Sequence, residues 1–157
     1  MPTPEIKRSD IVSAARSFLG LPWVHQGRHP EAGIDCIGLL ILTAKKVGID
    51  LIDCTNYSSR PDGRILMESL RVNPALVEKP TSEIAPGDAV VFWMANPSLP
   101  QHLGIITSND LFIGDEYVRD GLGLIHTVQK YSRVQEEAIG HKWNKRLHAA
   151  FSFAGVE

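Results

Sequence analysis

The stretch IDCIGLLILTAKKVG, residues 34–48, constrains this chain more than any other. Ile37, Leu39, Leu40, Ile41, Leu42, Ala44 and Val47 leave it almost no polar face, and a helix apolar nearly all round must be covered on most sides. The predicted helix runs over 35–47. Asp35 is its N-cap, Lys45 and Lys46 suit the negative end of its dipole, and Gly48 fits the left-handed position beyond it. A buried helix does not need a thiol in its first turn. Cys36 falls where unsatisfied N–H groups meet the positive end of the dipole, an environment that lowers a thiol's pKa. Cysteine is also among the most buried residue types, so plain packing is the competing reading.

The rest of the chain has to cover that helix. Its 157 residues are enough for one domain with a sizeable core, expected to span 1–157. A first helix is predicted from Ser9 or Asp10 to Leu19, with Ile11, Val12, Ala14, Ala15, Phe18 and Leu19 as its apolar stripe. Gly20 and Pro22 end it. A shorter amphipathic helix over 63–72 stops at Asn73-Pro74. Strands are predicted at 88–93 after a Pro-Gly turn, in QHLGIIT, at 111–113, in GLGLIHTV, and at 147–153, where apolar and polar residues alternate. Helices first and strands after give an α+β fold with an antiparallel sheet.

Charge excludes some functions. A formal charge of −2 with scattered basic residues gives no reason to expect nucleic acid or an anionic membrane as partner. No apolar run is long enough to span a bilayer. The opening MPTPEIKRSD lacks the apolar core of a secretory signal, so synthesis in the cytoplasm is expected, with some other route if the protein acts outside. Cys36 and Cys54 make neither a disulfide framework nor a zinc spacing, and Cys54 reads as structural or incidental. His25 and His29 lie four apart, but Gly27 and Pro30 break the helix that would align them on a metal. Neither metal nor cofactor is expected.

Nucleophilic chemistry is the alternative to packing. In QHLGIIT the strand period puts His102, Gly104 and Ile106 on one face and Leu103, Ile105 and Thr107 on the other. A histidine followed by glycine on the same face suits a base lying against something close, such as a helix end. His126 is a lone polar residue in LIHTV. A thiol, a base and an orienting polar group are what nucleophilic acyl transfer requires, though spacing alone does not show that they meet. Trp93 and Trp143 read as core or rim aromatics, and His141 and His148 as surface or strand-face residues.

GLPWVHQGRHPEAGIDCIGLL resembles the nucleophile region of the NlpC/P60 cysteine peptidases, with its turn, Gly-containing loop and Gly-x-Asp-Cys-x-Gly before an apolar helix. PGDAVVFW and HLGIIT resemble the family's second block, and LIHT its third. His-Gln-Gly after the first turn and the ending WNKRLHAAFSF resemble the phage-type, tail-associated branch. The resemblance implies a papain-like fold and hydrolysis of an amide in peptidoglycan stem peptides, usually between D-Glu and a diamino acid. It implies Cys36 as nucleophile, His102 as general base and His126 as the residue orienting His102. Backbone N–H groups at the helix start, that of Cys36 included, would meet the oxyanion. Trp23, His25, Gln26, Arg28 and Asp35 would line the oxyanion and substrate side, with Arg28 matching a substrate carboxylate. The family usually has Tyr where this chain has Trp23, whose indole can donate but not accept, so packing is an equal alternative there. Ile37 also replaces the Ser that many members carry. Related acyltransferases place His before Cys, and the order here favours the hydrolase. The partners implied are stem peptides and, for the phage-type branch, tail proteins of a virion. A catalytically silent tail-assembly or wall-binding module of the same fold is the rival expectation.

Overall fold

A computed structural model describes residues 5–53, 57, 63–114 and 117–157. Its helices are α1 (Arg8–Arg16), α2 (Cys36–Lys46), α3 (Arg64–Val72) and the short α4 (His141–Asn144). Two two-residue strands, β1 (Arg28–His29) and β2 (Gly33–Ile34), form a hairpin just before α2. Six more strands follow: β3 (Leu76–Lys79), β4 (Ala89–Trp93), β5 (Pro100–Ser108), β6 (Leu122–His126), β7 (Gln135–Ala138) and β8 (Leu147–Phe153). They form one antiparallel sheet in the order β3-β8-β4-β5-β6-β7. The α+β expectation holds.

The sheet buries both faces, and the alternation along each strand decides what goes where. Leu103 and Ile105 of β5, Val91 of β4 and Ile125 of β6 pack with Ile11, Ala15, Leu39, Leu40 and Ala44 of α1 and α2. Val90, Phe92, Ile106 and Leu124 face the other way, onto Ile84, Ile139 and Trp143 of α4. The helix 35–47 is central as predicted: Asp35 caps it, Val47 closes it, and Gly48 adopts φ +90°. No helix among the described residues is long and apolar enough to cross a membrane.

Pro86-Gly87-Asp88 has a structural reason. Asp88, fully buried, accepts from Arg8 (2.6 Å), Lys79 (2.8 Å), the Ser152 hydroxyl (2.7 Å) and the Ala85 N–H (2.8 Å), tying α1, β3 and β8 to the start of β4. Burial pushes its carboxyl up, but these hydrogen bonds outweigh it and hold the pKa low.

Several elements differ from the sequence reading. Helix α1 begins at Arg8 with Lys7 as N-cap; Asp10 caps from inside, its carboxylate accepting the Lys7 N–H at 2.9 Å. It ends at Arg16, and residues 17–20 continue as turns. Leu111 to Ile113 do not form a strand: Asp110–Phe112 is a 3-10 turn, started by Asn109 accepting the Leu111 N–H, and Leu111 is 82% exposed. An Asx turn at Asn109 captures the backbone there. Strands β3 and β7 were not foreseen. LVEK and QEEA are short and polar because each lies at a sheet edge. In β7, Glu136 accepts from Arg16 (2.9 and 3.0 Å) and Thr107 (2.8 Å), fastening that edge to α1 and β5.

Candidate active site

Asp35 organises the start of α2. Its Oδ1 accepts the Gly38 N–H at 2.8 Å and an Arg28 guanidinium N–H at 3.0 Å. Its Oδ2 accepts the Gln26 N–H at 2.9 Å and the Tyr57 hydroxyl. Arg28 also grips Asp53 with Nε at 2.9 Å and reaches Tyr57 at 2.9 Å. The same carboxylate thus caps the helix and anchors the loop that precedes it. Gly38 permits this: a Cβ there would lie 2.1 Å from the Gly27 carbonyl oxygen. The space left at Gly38, beside the thiol, is filled by the 24–28 loop.

Cys36 lines a cavity of about 200 Å³ together with Trp23, His25, Asp35, Tyr57 and His102. Its far wall is apolar, from Leu40 and Ile41 of α2 and Ile65, Leu66 and Leu70 of α3. The His25 ring lies against Trp23 (centroids 6.4 Å apart, 27°) and meets Tyr57 edge-on at 5.7 Å. Gln26 and Arg28, expected on the substrate side, instead engage Asp35, Asp53 and Tyr57. His29 Nδ1 accepts the Glu31 and Ala32 N–H groups and so caps its own turn. Cys54 lies outside the described residues.

The thiol does not titrate as its helix position suggests. Burial, and then the Asp35 carboxylate, push Cys36 up to about 12; the Leu103 and Ile37 N–H groups and Arg28 pull the other way but lose. A helix N-terminus offers about half a positive charge. Here a full negative charge at the cap and the loss of water outweigh it. Cys36 rests as a neutral thiol.

The two imidazoles meet because β5 and β6 are in register. Gly104 pairs with His126, and a Cβ on Gly104 would come within 2.4 Å of Leu124 Cδ1 and 3.2 Å of His126 Cβ. The glycine therefore makes room for its β6 neighbours, not for a helix end. His102 Nε2 lies 2.8 Å from His126 Nδ1, and His126 Nε2 lies 2.9 Å from Glu137 Oε2. Trp143 packs on both rings, edge-on to His126 at 4.7 Å and against His102 at 5.5 Å. With Phe92 it walls them from water. Burial, and then His126, hold the His102 pKa far below the usual imidazole value. His102 is therefore a neutral base whose Nδ1 is the nitrogen not committed to His126.

Sequence reasoning missed Glu137; Trp143 is the core aromatic it was read as, but its place against the imidazoles was not foreseen. Glu137 pairs with Leu124 across β6 and β7, and the strand period puts its side chain on the face that carries His126. Trp143 Nε1–H donates to Glu137 Oε1 at 2.9 Å. The only sequence signal was a carboxylate in an apparently solvent-exposed QEEA run.

No curated protein matches this chain significantly. Solved structures do match it in fold. An NLP/P60 family protein similar to lipoprotein, from Staphylococcus aureus, superimposes with a TM-score of 0.61 at 17% identity, over 98% of this chain and 45% of that one. An NlpC/P60 family protein from Bacillus cereus gives 0.61 at 21% identity, over 95% of this chain and 40% of that one. This chain thus spans less than half the length of either. The NlpC/p60 domain of the peptidoglycan hydrolase SagA gives 0.59 at 22% identity, over 94% of this chain and all of that domain. The sequence profile of the NlpC/P60 family matches residues 20–151, which takes in Cys36, His102, His126 and Glu137, and the chain belongs to that family.

Proposed function

We propose that this chain is a cysteine peptidase that hydrolyses an amide bond in peptidoglycan stem peptides. The observation that carries the reading is the single cavity bearing Cys36 and His102, with His126 on the far nitrogen of His102. Family membership supports it, as do fold neighbours that are peptidoglycan hydrolases. Because the thiol rests protonated and His102 neutral, the proton moves during attack and not before it. His102 Nδ1 takes the Cys36 proton as sulfur adds to the carbonyl carbon, and backbone N–H groups at the start of α2 receive the oxyanion. The tetrahedral intermediate collapses, the C–N bond breaks, and the imidazolium returns its proton to the leaving amine. Water, deprotonated by His102, then hydrolyses the thioester and restores the thiol. The amide between D-Glu and a diamino acid is the proposed bond. Trp23 and His25 also line this cavity, and the indole N–H there can serve as a donor only.

The protonated thiol also favours a second reading, a tail-assembly or wall-binding module that keeps the fold and does not cut. Digestion of muropeptides of defined stem composition, read by mass, separates the two. The peptidase cuts one bond and Cys36→Ala abolishes the product. The module gives no product in the wild type and binds cell wall equally well as Cys36→Ala.

A further inference from the structure

We propose that Glu137 is a positioning residue that sets the tautomers of both imidazoles and thereby leaves His102 Nδ1 open as the base. The inference rests on the peptidase reading for its effect on rate, but not for its effect on the protons.

The relay is fixed from its far end. Burial pushes the Glu137 carboxyl up, but hydrogen bonds from His126, Trp143 and Tyr131 outweigh that and keep it below the usual carboxylate range. It is therefore an acceptor only. At a pH where His126 carries one ring proton, it must then present Nε2–H to Oε2 at 2.9 Å, which leaves Nδ1 as an acceptor. His102 Nε2, 2.8 Å from that atom, must be the donor. Neutral His102 has a single ring proton, and Nε2 holds it, so Nδ1 is bare. Inverting the first proton inverts the whole row and places a proton on the nitrogen that should receive one from Cys36.

Trp143 makes the arrangement sharply testable. Its indole can only donate, and it donates to Glu137 Oε1 at 2.9 Å. In Glu137→Gln the single amide oxygen is expected to serve Trp143, whose buried N–H can only donate, while the Tyr131 hydroxyl, a further partner of this side chain, can turn to either end of the amide. The amide NH2 then faces His126 Nε2. That nitrogen becomes an acceptor, His126 shifts to Nδ1–H, and His102 Nε2 turns acceptor, so its proton moves to Nδ1. Replacing Trp143 as well removes the constraint, since the amide can turn its oxygen back to His126.

Side-chain 15N NMR of the full chain at about pH 8, above the ordinary imidazole range, reads the tautomers directly, with or without activity. Wild type is expected to show Nε2–H at both His102 and His126. Glu137→Gln is expected to show Nδ1–H at both, with a backbone amide spectrum that stays folded. Muropeptide kcat should fall about 100-fold or more, the usual worth of general-base catalysis, with KM little changed. The double variant Glu137→Gln, Trp143→Phe should return Nε2–H and recover part of the rate. Should Glu137→Gln fail to fold, Glu137→Asp keeps the charge and must keep Nε2–H on both rings. Wild-type rings carrying Nδ1–H, tautomers unmoved in Glu137→Gln, or a double variant still inverted would each overturn the proposal. A wild type with Nε2–H on both rings and no cleavage of any muropeptide overturns the peptidase reading and leaves the tautomer assignment standing.

Discussion

The titration of Cys36 is where the sequence and the structure part most sharply, and it can be measured. The thiol is held protonated up to about 12, against 9.0 for an ordinary cysteine. At about 1.4 kcal/mol per pH unit, ionising it in the resting fold costs about 4 kcal/mol more than in an unfolded chain. Roughly one molecule in 10⁵ then carries thiolate at neutral pH. Carboxamidomethylation reads this directly, followed by peptide mass so that Cys36 is separated from Cys54. The Cys36 rate is expected to climb about tenfold per pH unit from about pH 6 to beyond pH 9, without a plateau. Asp35→Asn keeps an N-cap acceptor but removes the charge, and its profile should shift to lower pH. Stability has a matching sign. A thiol whose pKa is raised by folding stabilises the fold fully below about 9 and loses that contribution as pH rises toward 12. The alkaline loss of about 4 kcal/mol should therefore shrink in Cys36→Ser. A labelling plateau below neutral pH in the wild type would mean a preformed thiolate–imidazolium pair, and the argument from burial and Asp35 would be refuted.

Two further outcomes follow from packing and charge. Gly104→Ala places a methyl group 2.4 Å from Leu124 Cδ1 and 3.2 Å from His126 Cβ; overpacking of this kind costs about 1–3 kcal/mol. Thermal melts should fall by several degrees and muropeptide turnover should drop further than stability alone explains; unchanged values in both would show that β6 adjusts freely. Asp88→Asn leaves Arg8 and Lys79 facing each other without their anion, at a cost of roughly 2–4 kcal/mol once their partial exposure is allowed for. Because the Asp88 carboxyl is held below 3.8, its stabilisation is present above that value and is lost as pH falls, so the variant should show a shallower acid limb in urea melts. An acid limb as steep as that of the wild type would place the acid sensitivity elsewhere.

The helix predicted over 35–47 was legible because its start, its stop and its apolar body are all written in local sequence, and the structure keeps each of them. The same holds for β4, β5, β6 and β8, whose alternation matches their two buried faces. What local sequence could not carry was anything decided by distant parts of the chain. The thiol's basicity is set first by its burial in the assembled fold, which no neighbouring residue announces, and then by Asp35. Gln26 and Arg28 looked like free substrate ligands because their partners are Asp35, Asp53 and Tyr57, up to 31 positions away in the chain. Glu137 drew no reading, because polar QEEA gives no hint that it forms a strand or that one of its carboxylates turns inward onto His126. His102 and Gly104 were read correctly as a pair on one face, but the glycine serves the neighbouring strand.

The two faces of the sheet have one more consequence. Cys36 travels with the helical layer, while His102, His126, Trp143 and Phe92 are embedded in the opposite layer, and the Leu103 N–H is where the strand meets the sulfur. Nucleophile and base are thus mounted on separate plates. Their alignment therefore depends on how the two cores are joined through β5, which sends Leu103 and Ile105 into one and His102 and Ile106 into the other.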